Sequence, residues 1–374
     1  MKSFPLIITT LTVIISCFGC SSTPEDEPTS GIQHSRIHEL ISDFYNTIHP
    51  ETKAGATNFS ITDISTTTYN ISHPTTRTDT SETESQYDIH TVSLDFGESS
   101  GYAVVSDTPG LDRIFYYTES GAMQDTIEIV PLRELIQSIP MVAERILDNT
   151  IYDSSLSTRA GDITIQPIVP YQWGQRQPFN NYATYCTCAI CSKYGNHMPI
   201  GCVTIALGQT IATVGKFTGT FYGTRDINFS LLPEKGSLFT PTQALTVAHF
   251  LQEIALNCQI KFGCGGSGTS VEAAVNYLKD LKYTPEYVKG GINDDRFIRN
   301  LQKGYPHLIA GRSSSEGHMW LLDGYIRHNN KSQYHINWGW GPYQSNGWSD
   351  GCCYCDYKEP YPSYSSDLRQ IYLN

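Results

Sequence analysis

The sequence predicts an α+β protein, because the second half of the 374-residue chain groups its helices before its strands. Apolar residues recur at helical spacing over 202–214, 241–258 and 270–281. Short apolar runs that predict strands follow at 308–311, 319–325 and 334–338. Helices that precede strands, rather than alternate with them, are typical of an α+β domain. The middle helix has the clearest start signal, since Thr240 can cap it and Pro241 suits its first position.

The first half carries a smaller mixed pattern. Helical spacing predicts a helix over 37–48 and another over 131–147, in which Pro140 should cause a kink. Alternating or apolar runs between them predict three strands, at 89–96, 101–106 and 114–117. The Thr- and Ser-rich stretch 56–86 predicts a loop or a weak edge strand. The polar stretch 148–162 is where we divide the chain in two.

The N-terminus has the pattern of an export signal. Lys2 supplies the positive charge, the apolar run 5–16 follows, and residues 1–20 form the predicted signal peptide. A small residue before Cys20 resembles the lipidation site of a bacterial lipoprotein, whereas an ordinary signal peptide cut nearby is the alternative. In both cases the mature chain leaves the cytoplasm, for the cell surface or the surrounding medium. The Pro-, Glu- and Ser-rich residues 21–35 predict a tether.

Composition and charge exclude some partners. Hydrophobic residues make up 39% and charged residues 17% of the chain, which is typical of a globular protein. The net charge of −12 argues against a nucleic-acid partner, because binding phosphates needs a basic surface. After the signal, no stretch is long and apolar enough to span a bilayer. A membrane is therefore expected as a partner only through an N-terminal lipid anchor.

Nine of the eleven cysteines follow the signal peptide, and an odd number in an exported protein leaves at least one free thiol. Two groups of three lack the spacing of a four-ligand zinc site, so we expect no metal and favour disulfides. Cys258 and Cys264 flank a short loop and can pair with each other. The connectivity stays open among Cys186, Cys188, Cys191, Cys258, Cys264, Cys352, Cys353 and Cys355.

Cys202 is the candidate nucleophile. It follows Pro199-Ile200-Gly201 and begins a predicted helix. The partial positive charge of a helix N-terminus favours the thiolate, which is the reactive form of cysteine. The backbone N–H of Cys202 can also donate a hydrogen bond to an oxyanion. The alternative is a buried structural cysteine or half of a disulfide.

Three other residues complete a candidate site. His318 precedes an apolar strand and can take the thiol proton as a general base, although a core histidine is the alternative. Asn337 can orient the imidazole and Trp338 can shield that contact from water; stacked aromatic residues at a strand end are the alternative. Gln175 can donate a second hydrogen bond to the oxyanion, or it is a surface glutamine.

The order of these segments resembles the streptopain family of bacterial cysteine peptidases. Gln175, the Gly-Cys helix start, the Gly-His before an apolar strand and the run 337–341 (Asn-Trp-Gly-Trp-Gly) match the family's motifs in order. The resemblance covers about residues 165–350. It departs from the family pattern at Thr204-Ile205 and at Pro342, neither of which is a reacting residue.

The resemblance implies a papain-like fold, with a helical part and an antiparallel sheet, and no cofactor. The Gly- and Ser-rich segment 265–270 resembles the family's loop beside the cleft, so Ser267 and Gly317 would contact substrate through their backbones. Residues 101–107 and 114–117 are similar to the family's propeptide module, which also occurs as a free inhibitor. This implies an α+β propeptide domain over 36–158, a peptidase domain over 159–374 and a cleavage point within 153–166.

The predicted function is a cysteine endopeptidase made as a zymogen. It would cleave polypeptides through a Cys202–His318 dyad and a thioester acyl-enzyme, with an apolar residue preferred just before the cleaved one. Its partners would be protein or peptide substrates, its own propeptide and a cognate inhibitor protein. Two alternatives remain open: an inactive surface lipoprotein that binds proteins or inhibits peptidases, and an acyltransferase that uses the same dyad.

Overall fold

The computed structural model describes residues 29–51, 58–71, 85–124, 128–148, 161–193, 195–215, 227–233, 238–312, 317–329, 331–341, 345–351 and 368–374. The structural statements below concern these residues. The signal peptide with Cys20, the proposed cleavage region up to residue 160, and Cys352, Cys353 and Cys355 lie outside them. No helix among the described residues is both long and apolar enough to cross a membrane.

Seven α-helices are described. They are α1 (Thr29–Ile48), α2 (Val130–Leu147), α3 (Ala189–Ser192), α4 (Cys202–Val214), α5 (Pro241–Asn257), α6 (Val271–Asp280) and α7 (Asp294–Gln302). The cap predicted at Thr240 is present and forms a capping box, since its hydroxyl accepts a hydrogen bond from the Gln243 N–H and the Gln243 side chain accepts one from the Thr240 N–H. Pro140 lies inside α2, which stays one helix. Helix α1 begins at Thr29, so residues 29–35 of the expected tether are helical.

Eleven strands form one sheet among the described residues. In chain order they are β1 (Ser60–Ile71), β2 (Ser85–Asp95), β3 (Ser100–Ser106), β4 (Arg113–Thr118), β5 (Ile163–Ile165), β6 (Pro285–Lys289), β7 (His307–Arg312), β8 (Gly317–His328), β9 (Lys331–Asn337), β10 (Gly347–Asp350) and β11 (Arg369–Leu373). Their spatial order is β1-β2-β3-β4-β10-β9-β8-β7-β11-β6, and β5 pairs with β8 outside this path.

The sheet runs through both halves of the chain. Strand β4 of the first half pairs antiparallel with β10 of the second, with Tyr117 opposite Trp348 and Tyr116 opposite Ser349. The Thr- and Ser-rich stretch 56–86 was predicted to be a loop or a weak edge strand. Its residues 60–71 form β1, which lies at the edge of the sheet and pairs along its length with β2. The N-terminal part is therefore built onto the sheet that carries His318.

Side chains at this junction are buried. The Arg113 guanidinium lies 3.3 Å from the Asp350 carboxylate, and the two side chains are 7% and 2% exposed. The Trp338 indole N–H donates to the Tyr116 hydroxyl at 3.0 Å, and Tyr116 in turn donates to the Ser345 carbonyl. The two halves thus share polar contacts as well as apolar core, because one core cluster joins α2 with α7 and strands of both halves.

Helix α4 lies inside the second core cluster, and every residue from Cys202 to Ala212 is buried. A helix that is apolar on all sides needs protein around it on all sides. Gly208 allows the close approach of α5, because a Cβ at Gly208 would lie 2.5 Å from the Leu251 side chain. The helix is thus held rigidly, and its first residue, Cys202, stands at the rim of the core.

Candidate active site

Cys202 and His318 line one cleft, which lies between the start of α4 and the start of β8. Both residues, with Ser267 and Gly317, border a cavity of about 650 Å³ and an adjoining cavity of about 340 Å³. Gln175 borders the smaller cavity. Seven residues were predicted to act in catalysis or to contact substrate. The structure brings five of them together at this cleft: Gln175, Cys202, Ser267, Gly317 and His318.

Cys202 is the first residue of α4 and is 9% exposed. Gly201 before it has a φ of +98° and caps the helix. A Cβ on Gly201 would lie 2.8 Å from the Ser267 carbonyl oxygen, a distance that real Cβ atoms do not adopt. The Gly-Cys pair is thus required by both backbone conformation and space, and it places the thiol at the free N–H groups of the helix.

Gly201→Ala should slow any reaction at Cys202 and destabilise the fold by about 1–3 kcal/mol, since a positive φ and the Ser267 clash are both unfavourable. Equilibrium urea unfolding and the initial rate of hydrolysis of an unfolded protein would measure the two effects. Gly265→Ala, in the neighbouring loop of Ser267, is the control, because a Cβ there meets nothing within 4 Å. Equal behaviour of the two variants would contradict the assignment of strain to Gly201.

His318 is buried, and its Nε2 lies 2.9 Å from the Trp338 carbonyl oxygen. Because a carbonyl can only accept, the neutral ring carries its proton on Nε2, and Nδ1 is the nitrogen that can take another. Burial lowers the pKa of His318 to about 4, against the opposing effect of the Trp338 hydrogen bond. At neutral pH the imidazole is therefore unprotonated, as a general base must be.

The expected contact between Asn337 and His318 is wrong in this structure. Asn337 lies opposite Leu321 in the β8–β9 pairing, three residues along the strand from His318. Its side-chain N–H instead donates to the Tyr171 carbonyl at 2.9 Å, and its side-chain oxygen accepts from the Gln209 side-chain N–H at 3.2 Å and from the Gly339 N–H. The group that orients the imidazole is the backbone carbonyl of the next residue.

Trp338 was predicted to shield the histidine contact from water, but two other tryptophans, Trp320 and Trp340, stack on the His318 ring. The ring centroids of Trp320 and Trp340 lie 6.1 and 6.2 Å from that of His318, both nearly parallel to it. Trp338 packs on Trp320 at 5.7 Å and so supports the arrangement from behind. Trp340 belongs to the same Asn-Trp-Gly-Trp-Gly run, while Trp320 is two residues after His318 on the same face of β8. That period-two spacing is the signal that could have identified it.

Gln175 is 7% exposed and borders the smaller cavity with Cys202 and His318. Its backbone carbonyl accepts a hydrogen bond from the Ile200 N–H at 2.9 Å, which ties it to the turn just before Cys202. The alternative interpretation of Gln175 as a surface glutamine is therefore wrong. A side-chain amide held here has the chemistry that an oxyanion site requires.

Ser267 and Gly317 lie on opposite sides of the cleft. Ser267 is in the loop closed by the Lys261–Gly268 bridge, and its hydroxyl accepts from the Gly263 N–H at 3.2 Å. Gly317 begins β8 directly before His318. Both residues border the cleft, and their backbone contact with substrate stays a prediction from the family resemblance.

The first half of the chain also reaches this cleft. Glu128, Val130 and Pro131 border the smaller cavity, at the start of α2. The Glu128 carboxylate lies 3.5 Å from the Arg176 guanidinium, next to Gln175. Arg176 in turn lies 5.9 Å over the Trp340 ring. A segment distant in sequence therefore covers one side of the candidate site.

The structure pairs the cysteines differently from the one pairing that the sequence suggested. Cys188 and Cys264 are joined by a disulfide, so the suggested pairing of Cys258 with Cys264 is wrong. Cys258 is a free, fully buried thiol at the end of α5, and burial raises its pKa to about 12. The fold explains why Cys258 and Cys264 do not pair. Cys258 lies in the core, whereas the loop that carries Cys264 contacts the segment of Cys188.

Comparisons with known proteins agree with this arrangement. Residues 173–351 match the peptidase C10 family. The thiol protease/hemagglutinin PrtT of Porphyromonas gingivalis is 27% identical over 220 residues, which are 51% of this chain and 24% of that protein. This chain thus spans about a quarter of the length of that curated relative.

A solved structure also resembles the chain. A fragment of prointerpain A from Prevotella intermedia is 15% identical and matches with a TM-score of 0.54, over 82% of this chain and 98% of that chain. The likeness extends beyond the second half and shows a common fold. The predicted fold, a papain-like α+β peptidase domain with a preceding α+β part, is confirmed. The resemblance to the streptopain family of cysteine peptidases, which is the peptidase C10 family, is confirmed over residues 173–351.

Proposed function

We propose that this chain is the precursor of an exported cysteine endopeptidase in which Cys202 is the nucleophile and His318 the general base. One observation carries the proposal: a cysteine at a helix N-terminus and a neutral, oriented histidine border the same cleft. Thiol and imidazole in this relation are the elements of nucleophilic catalysis on a carbonyl. The match of residues 173–351 to a cysteine peptidase family supports the same reaction.

The proposed reaction begins when His318 Nδ1 takes the Cys202 proton and the thiolate attacks the carbonyl carbon of the substrate. The backbone N–H of Cys202 and the Gln175 amide would hold the oxyanion that forms. His318 then protonates the leaving amine, which leaves a thioester on Cys202. Water, activated by the same imidazole, hydrolyses that thioester and restores the thiol. The proton taken from Cys202 leaves with the amine, and the proton taken from water returns to the Cys202 sulfur. His318 therefore ends the cycle neutral, and the cycle needs no cofactor.

The binding of substrate is proposed to use backbone more than side chains. Ser267 borders the cleft from its loop and Gly317 from the start of β8, and both would present peptide groups that an extended chain can pair with. The preference for an apolar residue just before the cleaved one is carried over from the family resemblance. An amine acceptor in place of water would make the same dyad an acyltransferase, and the products of the reaction distinguish the two.

We further propose that residues 36–158 are the propeptide. In support, Glu128 and Pro131 border the cavity next to Cys202, and the Glu128–Arg176 pair holds that segment against the site. Cleavage within 153–166 would free this cover. Exposure to water would then let the pKa of His318 rise toward its ordinary value, because burial is the main cause that lowers it.

Export and anchoring are proposed from the N-terminal sequence. Residues 1–20 are the proposed signal, with Cys20 as the lipidated residue, and an inhibitor related to the propeptide module is a proposed partner. Loss of membrane association after Cys20→Ser, with secretion retained, would agree with lipidation.

The main test labels the processed chain with a cysteine-directed alkylating probe at neutral pH and locates the label by mass spectrometry. Cys202 should react first and should be protected by a peptide substrate, since it stands at the cleft and its thiolate is favoured. Cys258 is the internal control and should stay unlabelled while the chain is folded, because it is completely buried. A chain that only binds proteins would leave Cys202 as unreactive as Cys258, and the proposal would fail.

A further inference from the structure

Four cysteines form a cluster beside the candidate active site. The sulfurs of Cys186, Cys188, Cys191 and Cys264 all lie within 4.8 Å of one another. The Cys186 sulfur is 3.2 Å from that of Cys188 and 3.3 Å from that of Cys264. Cys186 and Cys191 are buried, and the other two are half-buried. None of the four is used by the proposed reaction.

Two loops bring these residues together. The first folds back on itself between Tyr185 and His197, and Cys186, Cys188 and Cys191 lie at its tip around the short helix α3. The second is the Gly-rich loop closed by the Lys261–Gly268 bridge, with Cys264 at its tip. Neither loop belongs to the large sheet, and the cluster connects their two tips.

We propose that the four cysteines are the ligands of one Zn²⁺ ion, and that the Cys188–Cys264 disulfide is the form that two of these sulfurs take in the oxidised chain. Structural zinc is held by four protein ligands in a tetrahedron, and cysteine sulfur is a preferred ligand. Zinc–sulfur bonds of about 2.3 Å place the sulfurs about 3.8 Å apart. The observed separations, from 3.2 Å to at most 4.8 Å outside the bonded pair, bracket that value.

The position of the Cys186 sulfur favours one metal site shared by all four sulfurs over a second disulfide. Its sulfur lies at almost equal distances from Cys188 and Cys264, and it also interacts with Cys191. The Cys188 backbone N–H points to the same sulfur at 3.4 Å. Such an N–H···S bond stabilises a negatively charged sulfur and is the kind of outer contact that orients metal ligands.

Zinc binding in this cluster balances without a redox step. Four thiols lose four protons, Zn²⁺ loses its water ligands, and a tetrathiolate centre of net charge −2 forms. Lys193, which follows α3 and borders the same cavity as Cys191, supplies a positive charge near it. The disulfide and the zinc centre exclude each other, because both need the Cys188 and Cys264 sulfurs.

The consequence is structural support for the cleft. Cys191 and Cys264 border the smaller cavity together with Cys202 and His318. The loop of Cys264 also carries Ser267, whose backbone packs on Gly201. A zinc ion here would hold the two loops that border the smaller cavity at a constant distance from each other.

The test uses the full-length chain with Cys202→Ala, which prevents self-digestion, produced with zinc and under reducing conditions. Elemental analysis should find about one zinc per chain after gel filtration. Replacing the zinc by cobalt should produce the visible and near-ultraviolet absorption of tetrahedral cobalt thiolate. Native mass spectrometry of this parent protein also measures whether zinc is bound. Because this measurement needs no replacement of a cluster cysteine, the test holds even if such a variant does not fold.

Matched variants locate the ion. Cys191→Ser should lose the zinc and the cobalt spectrum, whereas Cys258→Ala and the triple replacement of Cys352, Cys353 and Cys355 by serine should keep both. The proposal is overturned if the reduced parent chain binds no zinc, or if its zinc content does not depend on Cys191. It is also overturned if the chain made under the same conditions is four hydrogens lighter, with the four cysteines in two disulfides.

Discussion

Cys202→Ala should lower kcat/KM for the hydrolysis of a protein substrate by at least about 10⁴-fold, because removing the nucleophile of such a dyad leaves only binding and oxyanion stabilisation. The precursor of this variant should also remain at full length. The hydrolysis of an unfolded, fluorescently labelled protein measures the first effect, and the mobility of the chain on a denaturing gel measures the second. The overall fold should be unchanged, since the alanine still fits the start of α4.

His318→Ala should show a loss of similar size, and the double variant should be no worse than either single one, because nucleophile and base act as a unit. Cys258→Ala is the control: it removes a buried thiol of the same core and should keep most of the activity. Self-cleavage by Cys202→Ala, or additive losses in the double variant, would show that the two residues do not work together.

Asp350→Ala should destabilise the precursor by about 3 kcal/mol. The carboxylate lies 3.3 Å from the Arg113 guanidinium, and both side chains are almost completely buried. Removing one partner of a buried pair leaves a charge in the core, which typically costs about 3–5 kcal/mol. Equilibrium urea unfolding, in a Cys202→Ala background that prevents digestion, should show the change as a lower midpoint with a similar slope.

The same pair also tests the role of the first half of the chain. Replacing both partners by apolar residues, Arg113→Met with Asp350→Leu, should recover most of the stability, since no uncompensated charge remains. If residues 36–158 leave after processing, Asp350→Ala should cost much less in the processed enzyme, where Arg113 is gone. An equal cost in precursor and processed chain would mean that the two halves stay together, against the proposed propeptide.

Local sequence patterns identified the elements that depend on nearby residues. Apolar spacing predicted α4, and the Gly-Cys pair placed Cys202 at its start. The Thr240–Gln243 cap and the apolar strand after His318 were equally visible, because propensity, capping and periodicity act within a few residues. The helix α7 was missed, although Asn293 caps its start and Asp294 and Asp295 lie in its first turn. It has only nine residues, so its apolar spacing is short.

Contacts between distant segments decided the rest. The sequence pointed to Asn337 because an amide side chain can orient a histidine, but the β8–β9 register places it away from His318 and brings the Trp338 carbonyl there instead. A backbone carbonyl carries no residue identity, so no sequence pattern could reveal it. The pairing of β4 with β10, which joins the two halves in one sheet, is likewise a choice among strands that look alike in sequence.

The sequence by itself determined the α+β class, the chemical types in the cleft, and the order of Gln175, Cys202 and His318. Only the tertiary structure decided what holds the imidazole, which segment covers the cleft, and where the cysteines meet. Cys264 shows the reason most directly. It lies 73 positions after Cys191, yet the two loops place both in one cluster, because chain folding sets distances that sequence spacing does not contain.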